Sequence, residues 1–241
     1  EPVMGTQSAL QLVNNALQHL GLPQASTIAS SLDDQTGFQC LGLLNSLGTQ
    51  LYRAHDWHFL EKTAEITGNG VDDSYPLPAD FGRIVNQTQW SSSMKRPMSG
   101  PMSPQAWSWV QYGIVSVGIY YRYRIIGTRL HIFPKLANGE KVNFFYMTNR
   151  WAINGADSVP KEMVSNDSDR TIYDDYLLIA GLKFKLWSAK GMDSAGLYAE
   201  FEYMLSNQKS QSQGAPTISL TTSFNEQFIS GRNIPDGGWN V

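Results

Sequence analysis

The spacing of apolar residues changes twice along this chain, and this change constrains the fold more than any other feature. Apolar residues recur at helical spacing from Ala9 to Leu20 and again from Phe38 to His55, which predicts two amphipathic helices. From Leu60 to Thr67 apolar and polar residues alternate instead, as in a half-buried strand. Helical spacing returns near Thr171 and continues to about Gln211. We therefore expect an α+β protein in which helices flank a central β region.

The ends of the helical segments carry residues that typically cap helices. Gly21 and Pro23 follow the first segment and predict its end. The adjacent carboxylates Asp33–Asp34 precede the second segment, and Asp174–Asp175 precede the later one, so helix capping accounts for both pairs. Gly191 divides the later segment into two helices. We expect the two N-terminal and the two C-terminal helices each to form a hairpin.

Strand signals fill the middle of the chain. After the first strand and its Asn69–Gly70 turn, we expect strands at residues 83–90, 118–126, 129–133 and 141–148. The last three lie close together in sequence, which predicts an antiparallel meander. Ser103 and Pro104 fit the N-cap and first position of a short helix among these strands.

These predictions divide the chain into five parts. Residues 1–60 form the N-terminal helical hairpin, and residues 61–153 form an antiparallel β domain with a short helix. Residues 154–170 are a polar connector, residues 171–213 form the C-terminal helical hairpin, and residues 214–241 are an extended arm. We expect the two hairpins to pack as one helical bundle.

The composition indicates that other proteins cover part of the surface. Charged residues make up 16% of the chain and aromatic residues 12%, whereas an average soluble domain is about 25% charged. The net charge is −3, and Lys95–Arg96 is the longest basic run. This disfavours the basic face that grips nucleic acid. This charge balance is compatible with DNA passing near the protein, because a channel need not bind the DNA that passes through it.

Cysteine content and apolar runs exclude two further classes. The single cysteine, Cys40, allows no internal disulfide and no cysteine metal cluster, and we expect it to be a buried apolar residue. The longest apolar stretches, such as 176–180, are far shorter than the roughly 20 residues of a membrane span. The N-terminus carries no basic region followed by an apolar core, so we expect neither a secretion signal nor a membrane anchor.

The arm is poor in charge and rich in apolar residues. Its charged side chains are Glu226, Arg232 and Asp236, whereas disordered tails are typically charged and poor in aromatics. We expect it to bind another protein or to pack on its own domain, and we favour a partner. The candidate anchors are Ile218, Leu220, Phe224, Phe228, Ile234 and Trp239.

Candidate catalytic and metal-binding residues are few. His55 and His58 have a spacing that two zinc ligands on a helix could use, but no HExxH arrangement or third ligand accompanies them. Among the carboxylates, nothing selects a catalytic pair. Phosphate-binding loops, nucleotide-binding glycine motifs and nucleophile elbows are absent from the sequence. We therefore expect no cofactor, no metal and no enzymatic activity.

Residues Tyr120 to Arg124 interleave tyrosine with arginine, a pattern that nucleic-acid-binding surfaces can use. In a strand, however, Tyr121 and Tyr123 share one face while Arg122 and Arg124 share the other. We favour a core face and a solvent or interface face over base stacking.

Five segments in order carry a family resemblance. They are the helix of Ser8–Gly21, the Trp57–Phe59 cluster after the second helix, the Leu-Pro-Ala-Asp-Phe entry at 77–81, the strand-turn-strand of 123–134 and the late helical hairpin of 174–213. Together they resemble the head-to-tail connector (adaptor) proteins of short-tailed bacteriophages, the tail tubular protein A group. The resemblance spans roughly residues 6–213.

The resemblance implies a virion structural protein at the head-tail junction, made in the host bacterial cytoplasm. Such adaptors assemble as a ring, typically of twelve subunits, between the portal protein and the tail nozzle protein. The helical part faces the portal, the β part faces the tail, and the ring forms part of the channel through which double-stranded DNA leaves. The family offers no catalytic residues to transfer.

Three alternatives to the adaptor reading remain open. The first is another virion component, such as a tail nozzle or minor head protein. The second is a virion-associated peptidoglycan hydrolase, for which Glu61, Glu65, Glu140 or Glu162 would have to supply the two carboxylates. The third is a nucleic-acid-binding module built on residues 121–124.

Overall fold

The computed structural model describes residues 5–113 and 120–213, and these form helices and antiparallel sheets. The predicted α+β class is therefore confirmed. The α-helices are α1 Ala9–His19, α2 Gln35–Ala54, α3 Pro104–Tyr112, α4 Asp175–Ala189 and α5 Ala195–Gln213, with a short 3₁₀ turn at His58–Leu60. The longer strands are β1 Glu61–Thr67, β2 Ser74–Pro76, β3 Phe81–Ile84, β6 Arg122–Ile126, β7 Arg129–Phe133 and β8 Lys141–Thr148. The two-residue strands are β4 Trp90–Ser91, β5 Arg96–Pro97, β9 Ala152–Ile153, β10 Pro160–Lys161 and β11 Arg170–Thr171.

Helix α4 lies at the centre of the helical region, where α1, α2 and α5 all contact it. Its apolar residues point in every direction rather than along one stripe, as expected for a helix covered on all sides. Gly181 marks the closest approach, because a Cβ there would collide with Leu47 of α2. One cluster of buried side chains, here called the helical core, joins these helices.

The segment after β8 also packs into the helical core, through Trp151 and Val164. Asp169 orders this segment from within: it is fully buried and accepts hydrogen bonds from the backbone N–H groups of Ser165 (2.7 Å) and Asn166 (2.8 Å). Its backbone carbonyl accepts the N–H of Ala9 at 2.7 Å. The free donors at the start of α1 are therefore satisfied by this segment.

Two sheets share a second cluster, the β core, which includes Tyr123, Ile132 and Phe144. Strands β2, β7 and β6 form one sheet in the order β2-β7-β6, and β8 is paired with β1, β3 and β4 in the other. Of the predicted meander, the antiparallel pair β6 and β7 is present, but the third strand is placed wrongly, because β8 pairs with β1, β3 and β4 and not with β7. Leu136, fully buried in the segment between them, and the hydrogen bond from the Gly139 N–H to the Gly68 carbonyl (2.9 Å) direct the chain across to β1.

The predicted strand at 83–90 is also interrupted. Strand β3 ends at Ile84 and β4 begins at Trp90. Between them Gln87 has φ 62°, a left-handed conformation that breaks strand pairing. The hydroxyl of Thr88 replaces part of the ladder by accepting the Phe145 N–H at 3.2 Å. Of the predicted strand at 118–126, residues 118 and 119 lie outside the described residues, Tyr120 and Tyr121 precede the strand, and β6 begins at Arg122.

The two aspartate pairs differ in role. Asp34 caps α2 by accepting the Gly37 N–H at 2.9 Å, and this bond contributes most to lowering the pKa of its carboxyl group. At the start of α4, by contrast, Asp174 makes no side-chain capping bond. Asp175 binds a different segment, since it accepts the backbone N–H groups of Thr6 (3.0 Å) and Gln7 (3.2 Å). Capping therefore does not explain this second pair.

Candidate partner-binding surfaces

The predicted anchors of the arm lie outside the described residues. These are Ile218, Leu220, Phe224, Phe228, Ile234 and Trp239. The described surfaces that a partner can contact lie on the helical and β regions.

The candidate metal and catalytic residues do not assemble into a site. Helix α2 ends at Ala54, so His55 and His58 do not share a helix face as predicted. Residues 5–113 and 120–213 contain no group of three or more His, Cys, Asp or Glu side chains that could hold a metal ion.

Each candidate carboxylate has a separate structural partner. Glu65 binds Lys141 at 2.6 Å and Glu162 accepts the Asn149 amide at 2.5 Å. Glu61 lies 3.9 Å from His58. Glu140 is buried, where it accepts the hydroxyl of Tyr121 and the Ala137 N–H. These bonds explain the carboxylates as parts of the scaffold.

Strand β6 places its tyrosines and arginines as the alternation predicts. Tyr121 and Tyr123 are buried in the β core, and burial raises the pKa of Tyr123 to about 12. Arg122 and Arg124 are half-buried on the other face. The tyrosines are therefore not available to stack on nucleic-acid bases. Cys40 is buried as expected, and burial raises the pKa of its thiol to about 11.

Helix α3 presents aromatic side chains on the β region. Its inner side holds Trp107, which meets the ring of His131 edge-on with centroids 6.4 Å apart, and Val110. Its outer side leaves Trp109 57% and Tyr112 86% exposed. Residues three apart on a helix are neighbours, so Trp109 and Tyr112 form one surface, here called the α3 aromatic face. Exposed aromatic pairs of this kind are typical of interface centres.

The helical region carries a second set of exposed aromatics. Tyr176 at the start of α4 and Tyr203 in α5 are 72% and 70% exposed. Their neighbours Leu177 and Phe201 are buried in the helical core, which fixes the orientation of both helices. The two regions thus each offer their own aromatic surface to a partner. The sequence revealed the aromatic content of these helices but not which rings remain uncovered.

Arg83 of β3 fastens the two regions together. Its guanidinium group donates to the backbone carbonyls of Tyr52 (2.9 Å) and His55 (2.7 Å) at the end of α2, and to the Asp56 carboxylate at 2.7 Å. It also stacks over the Tyr52 ring, 5.0 Å from the centroid. These contacts satisfy carbonyls that the end of a helix leaves free.

Comparison with known families shows which kind of protein carries these surfaces. The family model described as SU10 adaptor protein matches residues 7–220. This chain belongs to the SU10 adaptor protein family. It is a family of phage head-tail adaptors, structural proteins rather than enzymes, and the resemblance drawn from the sequence is confirmed.

The membership identifies the chain as a phage virion adaptor. No curated protein matches the chain. Among the residues that the structure describes, none of the helices of this SU10 adaptor is long and apolar enough to cross a membrane.

Proposed function

We propose that this SU10 adaptor forms the ring that joins the portal protein to the tail nozzle protein. The observation that carries the proposal is the family match over residues 7–220. Twelve copies surround part of the channel through which double-stranded DNA leaves the head. The protein is made in the host cytoplasm and acts at the head-tail junction of the virion.

Two separate aromatic surfaces suit a protein that joins two different partners. We assign Tyr176 and Tyr203 of the helical region to the portal side, and the α3 aromatic face to the tail side. Subunits in a closed ring contact one another through two different lateral faces. Such contacts account for the low charge content of 16%.

The charge balance suits a channel that DNA only traverses. A net charge of −3 without a long basic run gives little counterion release on contact with phosphates. DNA is therefore cargo, and the specific partners of the adaptor are proteins.

The predicted five-part division remains our proposal for the organisation of the subunit. Residues 1–60 and 171–213 supply the two hairpins of the helical bundle, residues 61–153 the β domain and residues 154–170 the connector. Residues 214–241 form the arm that reaches a partner. Val164 of the connector packs into the helical core, which makes the connector a structural part of the bundle.

The ring is tested with purified adaptor and purified portal from the same phage. Native mass measurement and negative-stain imaging should show a ring of twelve adaptors seated on the portal. A stable monomer that never forms a ring, even with portal present, would refute the proposal. A ring that forms but seats on neither portal nor nozzle would point instead to another virion component.

The assignment of surfaces is tested by two double variants that serve as controls for each other. Tyr176→Ala/Tyr203→Ala should weaken portal binding, and Trp109→Ala/Tyr112→Ala should weaken nozzle binding. Each loss should be about 2 kcal/mol or more, roughly 30-fold in Kd, if the rings are interface anchors. Because all four side chains are exposed, the folded body should keep its stability. Equal effects on both partners would contradict the assignment.

The arm is tested by removing its anchors. Phe228→Ala or Trp239→Ala should each cost about 2 kcal/mol of binding if either residue is an interface anchor. Deleting residues 214–241 should leave the body folded while assembly weakens. Loss of folded protein on deletion would show that the arm belongs to the core.

A further inference from the structure

The middle of the chain has a charge balance opposite to that of the whole protein. Between Phe81 and Gly139 the sequence contains seven lysines and arginines but no aspartate or glutamate, although the whole chain carries a net charge of −3. Of these cations, Arg83 pairs with the Asp56 carboxylate at 2.7 Å. Any carboxylate that balances the others must come from outside this stretch.

Strand pairing gathers part of this positive charge on one face of the sheet β2-β7-β6. In the antiparallel pair of β6 and β7, Arg124 lies opposite His131 and Ile126 lies opposite Arg129. Directly opposite residues share a face of the sheet, and so do alternate residues of one strand. Arg122 therefore lies on the same face as Arg124. The other face of these strands packs into the β core.

The residues just before β6 extend this face. Tyr120 is exposed, and the guanidinium group of Arg96 lies over its ring, 5.7 Å from the centroid. A β-bridge between Ser99 and Arg122 holds the segment of Arg96 beside the start of β6. The four arginines of this surface are here called the arginine face: Arg96, Arg122, Arg124 and Arg129.

The positive charges of the arginine face lie close together. Alternate residues of a strand are about 7 Å apart, so Arg122 and Arg124 repel each other unless an anion lies against them. Arg129 donates to the hydroxyl (3.2 Å) and the carbonyl (2.7 Å) of Ser74, which are uncharged. Within residues 5–113 and 120–213, no carboxylate lies within 4.0 Å of these three guanidinium groups. The face is therefore suited to an anionic partner.

The arginine face is continuous with the α3 aromatic face. His131 meets the ring of Trp107 edge-on, with centroids 6.4 Å apart, so α3 lies over the middle of this side of the sheet. Trp109 and Tyr112 are exposed on the outer side of the same helix. Ile126 adds an exposed apolar side chain at the end of β6. Arginine, tryptophan and tyrosine are the residue types that contribute most to binding at protein interfaces.

This mixture of side chains favours an acidic protein over DNA as the partner. A DNA duplex offers phosphates to arginine, but it stacks its bases inside and would leave the α3 aromatic face and Ile126 uncovered. Four arginines are also fewer than the roughly six to ten phosphate contacts of proteins that grip duplex DNA. An acidic protein surface offers carboxylates, which arginine can bind with two parallel hydrogen bonds. It also offers apolar side chains that can cover the rings.

We propose that the arginine face binds an acidic surface of the tail-side protein, and that it forms one interface with the α3 aromatic face. Carboxylates of the partner pair with Arg122 and Arg124, while apolar side chains of the partner cover Trp109 and Tyr112. The inference rests on the proposed tail-side role of α3 and adds the chemistry of the partner. Because alternate residues on two strands build the face, it leaves no basic run in the sequence.

Binding of purified nozzle protein to the full-length adaptor at two salt concentrations tests the proposal. The wild-type Kd should rise about tenfold or more between about 0.05 M and about 0.5 M salt, because salt screens charge pairs at an interface rim. Arg122→Gln/Arg124→Gln removes two charges, so it should raise the low-salt Kd about tenfold or more and flatten the salt dependence. Arg122→Lys/Arg124→Lys keeps both charges and should recover most of the lost affinity.

Two further variants complete the experiment. Arg53→Gln/Arg170→Gln removes the same charge from exposed arginines of α2 and β11, and it should bind the nozzle protein as wild type does. Arg96→Gln/Arg129→Gln changes exposed members of the arginine face and should raise the low-salt Kd about threefold or more. This exposed pair keeps the test decisive if thermal unfolding shows that the half-buried pair is needed for folding.

The outcomes separate the possible partners. Equal low-salt affinities of wild type, the arginine-face variants and the control would overturn this inference and leave the adaptor function standing. Loss of the adaptor ring in native mass measurement, with nozzle binding unchanged, would overturn it in favour of a second copy of the chain. Binding of a duplex oligonucleotide that Arg122→Gln/Arg124→Gln abolishes, with nozzle binding unchanged, would overturn it in favour of DNA. A wild-type adaptor that does not bind the nozzle protein would overturn the tail-side assignment as well.

Discussion

The contact between Gly48 of α2 and the indole of Trp151 gives the sharpest test of how the helical core is packed. A Cβ added at Gly48 would lie 2.5 Å from Cζ2 and Cζ3 of Trp151. Carbon atoms pack at about 3.5–4.0 Å, so the added methyl group is about 1 Å too close. We therefore expect Gly48→Ala to destabilise the protein, although alanine favours helices.

The magnitude follows from the lack of room for the ring to move. Trp151 is 2% exposed and lies 5.9 Å from the ring of Tyr173, which is itself buried and donates its hydroxyl to the Gly48 carbonyl. Overpacking typically costs about 1–3 kcal/mol, and we expect the upper end, about 3 kcal/mol. Helix propensity returns about 1 kcal/mol. The net loss should be about 2 kcal/mol.

Gly42→Ala is the matched control on the same helix. Gly42 is exposed, and a Cβ there would meet nothing within 4 Å, so the propensity gain of up to about 1 kcal/mol should appear alone. The two variants should therefore differ by about 3 kcal/mol, or about 6–12 °C in Tm for a chain of this size. Thermal and urea unfolding followed by circular dichroism measure this. If Gly48→Ala were as stable as Gly42→Ala, the close packing of α2 on Trp151 would be refuted.

Two further predictions concern buried charges. Burial of Asp80 opposes its ionisation, but hydrogen bonds from Lys62, Tyr146 and Thr148 outweigh burial and lower its pKa to about 2. The resulting stabilisation, roughly 2 kcal/mol, should be complete above about pH 4 and disappear as the pH falls towards 2. In Asp80→Asn that pH dependence should be absent from urea titrations. Lys183 is 8% exposed, and its ammonium group lies 2.9 Å from both carboxylate oxygens of Glu200. Glu200→Gln leaves that buried charge without its partner and should lower the free energy of unfolding by about 1–2 kcal/mol. Lys183→Met removes the buried charge itself, so the same unfolding measurement should show almost no change.

The elements that the sequence predicted well are those whose signals are local. The cap at Asp34, the start of α3 at Ser103 and Pro104, and the extents of β7 and β8 all match the structure. Each depends on a capping bond, a proline or a period of apolar residues within a few positions. Local signals of this kind carry no information about which strands pair.

The sequence could not reveal features that depend on distant residues. The pairing of β8 with β1 rather than β7 depends on Leu136 and on the bond between Gly139 and Gly68. The role of Asp175 in holding Thr6 joins residues 169 positions apart. Among the candidate surfaces, Trp109 and Tyr112 are exposed because Trp107 is the aromatic side chain that α3 buries. The sequence of α3 shows three aromatic residues in nine but not which of them is buried.

Strand β8 joins the helical and β regions, because its side chains pack into both cores. Phe144 and Tyr146 pack into the β core, whereas Met147, the next residue, is fully buried in the helical core. Side chains alternate along a strand, so one strand contributes to both cores on its opposite faces. Arg83, opposite Met147 on β3, adds polar contacts to the end of α2. A movement of one region against the other would therefore disturb both a buried methionine and the Arg83 hydrogen bonds.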